Sequence, residues 1–313
     1  MAGPDTASPA PVPRAEPLVR LYEEPGLHRW TLPPALAALY GGDLGFPEPC
    51  LYANFVASLD GVVALGPEYP SSGSTISGRE PADRFVMGLL RACADAVLIG
   101  AGTLRASPRH RWTPEHVYPA AAADFALLRR QRRRAAEPEL VVVTASGILP
   151  PEHPALQAGA LIATTTQGAG RLTGHLPPTC TILPLGDGPA LDIQQVLDTI
   201  RARGHTAILS EAGPRLAGQL VGAGILNELF LTLSPVLAGR ADSIRHGLIA
   251  GLELLPTRHE EIGLISARRR ASYLFLRYRM PGRSPRPATG GRATPEPHGE
   301  PSSVPRDTQR HHG

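Results

Sequence analysis

Two stretches of this chain end an apolar run in small residues, and both suit the gripping of phosphate. In DAVLIGAGTL (95–104) the run stops at Gly100-Ala101-Gly102-Thr103. In ILSEAGPRLAGQL (208–220) it stops at Ser210-Glu211, after which Gly213 and Pro214 open a helix through Arg215, Leu216, Ala217, Gly218 and Gln219. Without side-chain bulk a ligand reaches the backbone, and the free amides at a helix start bind anions. Proline suits that first helical turn because its missing N–H has no intrahelical partner to lose. Glu211 stands where a carboxylate accepts hydrogen bonds from a heterocycle or a ribose; capping the helix is the other use of a carboxylate at that place. Gly100–Thr103 likewise serve a tight turn as readily as a ligand. The GxGxxG pattern of classical dinucleotide folds is absent.

Two further loops have the same make-up, SLDG (58–61) and TASG (144–147), and each follows a strand-like run. Four such loops in one sheet argue for a cleft that holds an extended, phosphate-bearing ligand such as a dinucleotide. Other chemistries are excluded by residue type. The chain has 31 basic residues and none is lysine, which removes Schiff-base and P-loop chemistry, both of which need a primary amine. Cys50, Cys93 and Cys180 form no CxxC pair and read as free thiols of a reducing compartment. His110 and His205 lack an HxxxH or HxH partner, so no metal site is expected. No GxSxG elbow occurs.

The elements that must position these loops follow from periodicity. Continuous or alternating apolar runs predict strands at 51–58, 95–100, 140–145, 160–166, 180–185, 207–212, 226–235 and 271–280. Helical spacing predicts helices at 81–94, 120–136, 192–204 (Asp192 as N-cap, Gly204 beyond the end) and 214–224. Strand–helix alternation on this scale means an α/β fold: one mostly parallel, mixed sheet with helices on both faces, its last strand an antiparallel edge. Hydrophobic residues at 42% and charged residues at 19% fit a globular domain, placed at 17–280. The Pro-rich ends, 1–16 and 281–313, hold too little apolar surface to offset chain entropy and read as disordered tails. A net charge of +3 gives no reason to expect a nucleic-acid partner, and the arginines at 129–130, 132–134 and 268–270 read as solvated faces. No signal-like h-region and no run of eighteen apolar residues is present, so the expectation is a cytoplasmic protein with no membrane segment.

NFVASLDG (54–61), ISG (76–78), LLRACADAVLIGAGTL (89–104) and SEAGPRLAGQLVGAGILNELFLTLSPVLAGR (210–240) resemble, in order, the reductase domain of the bifunctional riboflavin-biosynthesis deaminase–reductase and its stand-alone pyrimidine-reductase relatives. The resemblance covers about 50–280. It implies a dihydrofolate-reductase-like fold, a homodimer, NADPH as hydride donor and an aminouracil ribosylamine 5′-phosphate as substrate. It implies cofactor contacts from Ala57, Thr103, Ser146 and Gly213–Gln219, and substrate contacts from Arg91 and Glu211. A phosphate-binding arginine, Arg109 or Arg111, is implied as well, a guanidinium fork being matched to phosphate oxygens. The chain departs from the family where it reads RASPRHRW (105–112) in place of an acidic pair, Pro and Arg, and where Thr75 replaces a common Trp. The deaminase signature, H-x-E together with P-C-x-x-C, does not occur in this sequence. Those departures leave open a different small substrate on the same fold, a pterin or a specialised metabolite, or a nucleotide-binding protein without catalysis.

Overall fold

Alternation decides which way the central strands face. In the run AVLIG, Val97 and Ile99 point to one side of the sheet and Ala96 and Leu98 to the other, and all four are buried. Both faces of the sheet must therefore be covered, which is what a near-continuous apolar strand implies. A computed structural model of the protein describes residues 14–66, 68–239 and 245–281. Its strands are β1 (Val19–Glu23), β2 (Cys50–Ala57), β3 (Ala96–Gly100), β4 (Glu139–Thr144), β5 (Leu161–Thr164), β6 (Thr181–Pro184), β7 (Ala207–Ser210), β8 (Glu228–Leu233), β9 (Gly263–Arg270) and β10 (Tyr273–Arg279). They form a single sheet in the order β1-β9-β10-β8-β2-β7-β3-β4-β5-β6. From β8 to β6 the pairings are parallel, as in Cys50↔Ala207 and Val97↔Leu140, while β10 joins β8 and β9, and β9 joins β1, antiparallel. This mixed sheet covered on both faces is the dihydrofolate-reductase-like α/β fold.

The helices are α1 (Pro34–Tyr40), α2 (Ser72–Ile76), α3 (Pro81–Cys93), α4 (Ala101–Ala106), α5 (Pro114–Val117), α6 (Ala122–Gln131), α7 (Pro154–Ala158), α8 (Thr166–Leu172), α9 (Ile193–Ala202) and α10 (Pro214–Gly222). One core lies under α1, α3, α5 and α6, where Phe85, Leu89 and Ala92 meet Tyr52, Val97 and Leu209. The other lies under α9 and α10, where Val196, Leu197 and Leu220 meet Leu51, Leu98 and Ile208. Local chemistry sets the helix starts: Asp192 accepts the Gln194 amide at 2.9 Å, and Glu80 accepts the Ala82 amide before Pro81 begins α3. No helix among the described residues is long and apolar enough to cross a membrane.

Several expectations are corrected here. The last strand is interior: β10 lies between β8 and β9 because β9 and β1, neither of them anticipated, extend the sheet beyond it. Residues 14–16 pack against the fold; Ala15 is buried and donates its amide to the Tyr118 hydroxyl at 2.7 Å. The remaining parts of the two expected tails, 1–13 and 282–313, lie outside the described residues. The arginine runs are not uniformly solvated. Arg129, 2% exposed, donates to the carbonyls of Arg91, Ala92 and Ala94 at 3.1, 3.2 and 2.7 Å, closing the carboxyl end of α3. Arg134 pairs with Asp95 and Glu48, and buried Arg268 pairs with Glu23 while lying over the Tyr40 ring.

Candidate functional site

The carboxyl ends of β2, β3 and β7 lie side by side, the place where open α/β sheets take their ligands. A cleft of about 280 Å³ opens there. Its floor is Asn54–Val56 of β2, one wall is Glu211–Pro214 with Thr103, and the other wall is α2 and the start of α3, including Ser72, Ser74, Arg79, Asp83 and Arg84. His110 and Trp112 close one end.

At its centre is a buried ion pair. Arg91 sits on the last turn of α3, 1% exposed, and its Nε and Nη2 donate to the two Glu211 oxygens at 2.8 and 2.6 Å. The fork-on-fork geometry is the strong form of this pair. The remaining N–H groups of Arg91 bind the carbonyls of Arg111 and Thr113 at 3.3 and 3.2 Å, and Nη2 also stands 2.9 Å from His110 Nε2. Burial and the adjacent Arg91 charge pull the His110 imidazole down to about 2. It is therefore neutral, and its Nε2 accepts. Arg91 lines the cleft, but its N–H groups are saturated by the protein itself, and it holds Glu211 and the 110–113 loop in place. Glu211, whose side chain is 10% exposed against 1% for Arg91, is the more open member of the pair.

Glu211 ends β7 where the chain turns into α10. That helix begins at Pro214, and the amides of Arg215 and Leu216 have no acceptor among the described residues. A Cβ built on Gly213 would stand 3.5 Å from Thr103 Oγ1, and one on Gly102 meets nothing within 4 Å. The first turns of α4 and α10 therefore leave a gap about one small side chain wide, bordered by free N–H groups and exposed Arg215. That donor set fits the pyrophosphate of a dinucleotide, which needs anion-binding amides and close backbone approach.

The structure thus brings Arg91, Thr103, Glu211, Gly213 and Pro214 together in one cleft, with Gly100, Gly102 and Arg215 beside it. It leaves the other anticipated residues elsewhere. Arg111 pairs with Glu137 at 3.3 Å in a second cleft, at the amino-terminal ends of β4 and β6, and Arg109 is exposed. Ala57 lies in the core beyond the cleft, its carbonyl bound by the Ser234 amide. Exposed Ser146 gives its carbonyl to Arg171, and Gly147 beside it is explained by packing: at φ 67° its Cβ would come 2.4 Å from the Gly168 carbonyl oxygen. Leu216 and Ala217 point into the core, Gln219 is exposed, and Gly218 makes room for the strap at 248–252, the Ala250 carbonyl oxygen lying 2.5 Å from where its Cβ would be. In SLDG, Ser58 Oγ donates to Asp60 at 2.6 Å, and Asp60 accepts the amides of Ala238 and Gly239. These bonds hold the Asp60 carboxyl down at about 2 and tie this turn to the 236–239 loop.

Asp83 is not singled out by the sequence, and His110 is considered there only as a metal ligand and set aside. Asp83 carries a readable signal, since it stands at helical spacing with Val86 and Leu90 as a carboxylate set into the buried stripe of α3. His110 carries none, because its place depends on a loop folding back over Arg91.

Against known families, residues 49–263 match the model described as the RibD C-terminal domain. No curated protein matches the chain in sequence. Among solved structures, a pyrimidine reductase-like protein of Corynebacterium diphtheriae is similar at 20% identity and TM-score 0.55, covering 74% of this chain and 92% of that one. A diaminohydroxyphosphoribosylaminopyrimidine deaminase/5-amino-6-(5-phosphoribosylamino)uracil reductase of Thermotoga maritima is similar at 16% identity and TM-score 0.53, over 74% of this chain; the match spans only 57% of that protein's length. The riboflavin biosynthesis reductase Rib7 of Saccharomyces cerevisiae is similar at 14% identity and TM-score 0.50, over 79% of this chain and 99% of that one.

Proposed function

The chain belongs to the RibD C-terminal domain family, and from that premise we propose that it is an NADPH-dependent reductase of a phosphoribosylamino-pyrimidine of riboflavin biosynthesis. The observation that carries this reading is the Arg91-held Glu211 standing next to the free amides of Arg215 and Leu216. A carboxylate that accepts hydrogen bonds from a polar ring or ribose is thereby set beside an anion cradle, in one cleft at the carboxyl ends of adjacent strands.

When bound, NADPH supplies a hydride, and the protein's part is to align donor and acceptor and to exclude water. The α10 amides, Gly213 and Thr103 would hold the pyrophosphate, with Arg215 adding charge at the rim. Glu211 would orient the substrate, its own position fixed by Arg91 so that little ordering remains to be done on binding. Arg79 and Arg84, on the opposite wall, are the cations available to a substrate phosphate. They take the role that the sequence assigned to Arg109 or Arg111.

A homodimer in the cytoplasm completes the reading by family likeness. NADPH titration followed by nucleotide fluorescence tests the cofactor: a blue shift with saturable binding is expected, and its absence removes the cofactor claim. NADPH oxidation with 5-amino-6-(5-phosphoribosylamino)uracil tests the substrate. A second reading, reduction of another heterocycle without a phosphate, is favoured by one observation: Arg109 and Arg111 are not in the cleft. The dephosphorylated substrate separates the two, since equal turnover with and without the phosphate supports the second reading and loss of turnover supports the first.

A further inference from the structure

We propose that Asp83 is the proton donor of this cleft. Its carboxyl group would supply the proton that joins the substrate atom left electron-rich when hydride arrives at the neighbouring carbon. The inference rests on the reductase reading but concerns a residue that neither the family motifs nor that reading assigns.

Asp83 is the third residue of α3, 3% exposed, and lines the cleft. The usual reason for an acidic residue there is to cap the helix or to offset its dipole. Capping is already done by Glu80, whose carboxylate accepts the Ala82 amide. Asp83 accepts no backbone amide and forms no ion pair among the described residues. The groups that face it are the hydroxyls of Ser77 and of Thr232 on β8, with the carboxylates of Glu80 and, across the cleft, Glu211. Arg84, the cation next to it on α3, feels the Asp83 charge but forms no ion pair with it and sends its Nε to the Val117 carbonyl at 3.2 Å, and Arg91 is taken up by Glu211.

The cleft therefore holds two carboxyl groups in opposite environments. Glu211 is clamped in a bidentate pair with a buried guanidinium. Asp83 is buried among hydroxyls and like charges, and burial, first among the causes, pushes it up to about 6. Two carboxyls separated in this way divide into a fixed acceptor and a proton carrier. A carrier whose affinity lies close to the working pH both gives and regains its proton readily.

The step balances as follows. The acceptor carbon of a C=N or C=O bond gains hydride, two electrons and one hydrogen nucleus, from the dihydronicotinamide. The π pair of that bond moves to its nitrogen or oxygen, and that atom takes the proton from the Asp83 carboxyl oxygen. The resulting carboxylate takes up one proton from the bulk solvent, relayed by water entering the open cleft, so that each turnover consumes one solvent proton.

The test uses the full chain with Asp83→Asn and Asp83→Glu. With NADPH and 5-amino-6-(5-phosphoribosylamino)uracil, Asp83→Asn is expected to lose about 10²–10⁴-fold in kcat. It should also lack the fall in kcat/KM expected of the wild type as pH rises past about 6. NADPH affinity, read by fluorescence, should stay within about twofold, and Asp83→Glu should recover part of the rate and the pH limb. A kcat within about threefold of wild type, or a retained pH limb, overturns the proposal. A second readout needs no substrate: the carboxyl ¹³C resonance that is present in the wild type and missing from Asp83→Asn should titrate near 6. Titration near 4 removes the proton-donor role whatever the substrate. The failure of the pyrimidine reading looks different: the wild type binds NADPH, oxidises none of it with that substrate, and still shows the carboxyl titrating near 6.

Discussion

Replacing Arg91 by Met tests whether the guanidinium belongs to the fold or to the ligand. Met preserves much of the volume while removing both bonds to Glu211, at 2.8 and 2.6 Å, and the donors to the Arg111 and Thr113 carbonyls. Glu211 then keeps a nearly buried carboxylate with no cation, a loss worth about 3–5 kcal/mol when one partner of a buried pair is deleted. The two carbonyls add about 1 kcal/mol each if water does not replace the lost donor. Glu211→Gln keeps a neutral acceptor opposite a cation that still has its carbonyl partners, and should cost about 1–3 kcal/mol. The double variant Arg91→Met/Glu211→Gln carries no orphaned charge. It should therefore be more stable than the sum of the singles by about 2–3 kcal/mol, a coupling readable in a double-mutant cycle. Equilibrium urea unfolding of the four proteins measures this, with unchanged m values confirming that the native and denatured states remain comparable. Singles that add within about 0.5 kcal/mol would refute the reasoning. The pair would then be screened by solvent, and Arg91 would be free to meet a substrate directly.

Three other outcomes follow from the same structure. Asp83 binds its proton more tightly folded than unfolded, at about 6 against 3.8. The native state accordingly holds the extra proton between those values, and stability falls as pH rises from about 4 to about 6. Two units correspond to about 3 kcal/mol, so Asp83→Asn should be more stable than wild type at pH 7, with no such advantage near pH 4. Urea midpoints at the two pH values check it, and a variant destabilised at both contradicts it. Gly218→Ala should destabilise by about 1–3 kcal/mol despite the better helix propensity of alanine, because the new methyl meets the Ala250 carbonyl oxygen. Faster hydrogen exchange at the Ala250 amide, now bonded to the Pro214 carbonyl at 3.0 Å, would locate the damage. Burial pushes the Cys93 thiol up to about 12 and raises Cys50 as well, whereas Cys180 is only half-buried. Iodoacetamide at pH 8 should therefore modify Cys180 first and reach the other two only on unfolding; equal rates in the native protein would contradict the core packing.

Much of the frame is legible in the residues because its causes are local. The spacing of Ile193, Val196, Leu197 and Ile200 makes a helix wherever it occurs, and Asp192 starts it by bonding an amide two residues on. AVLIG and AILS are apolar on both faces, and only the inside of a covered parallel sheet accepts such strands. The small residues after β3 and β7 mark the strand ends, and the cleft is there. By contrast, β9 carries three consecutive arginines, and nothing local distinguishes Arg268, which turns inward, from Arg269, which does not.

The sequence by itself determined the layered α/β frame, the positions of its principal strands along the chain and the small-residue loops that follow them. All of these come from patterns within ten or so residues. Tertiary structure alone decided the fate of the buried charged side chains. Arg91 finds Glu211 across 120 positions, Arg277 finds Glu228 across 49, and Arg129 reaches carbonyls 35 to 38 positions away. A guanidinium is buried only where several acceptors converge on it, and that convergence exists only once distant segments have packed. The same holds for Asp83, whose burial without an ion pair is a property of the assembled cleft, and for Arg109 and Arg111, whose loop folds so that neither enters it.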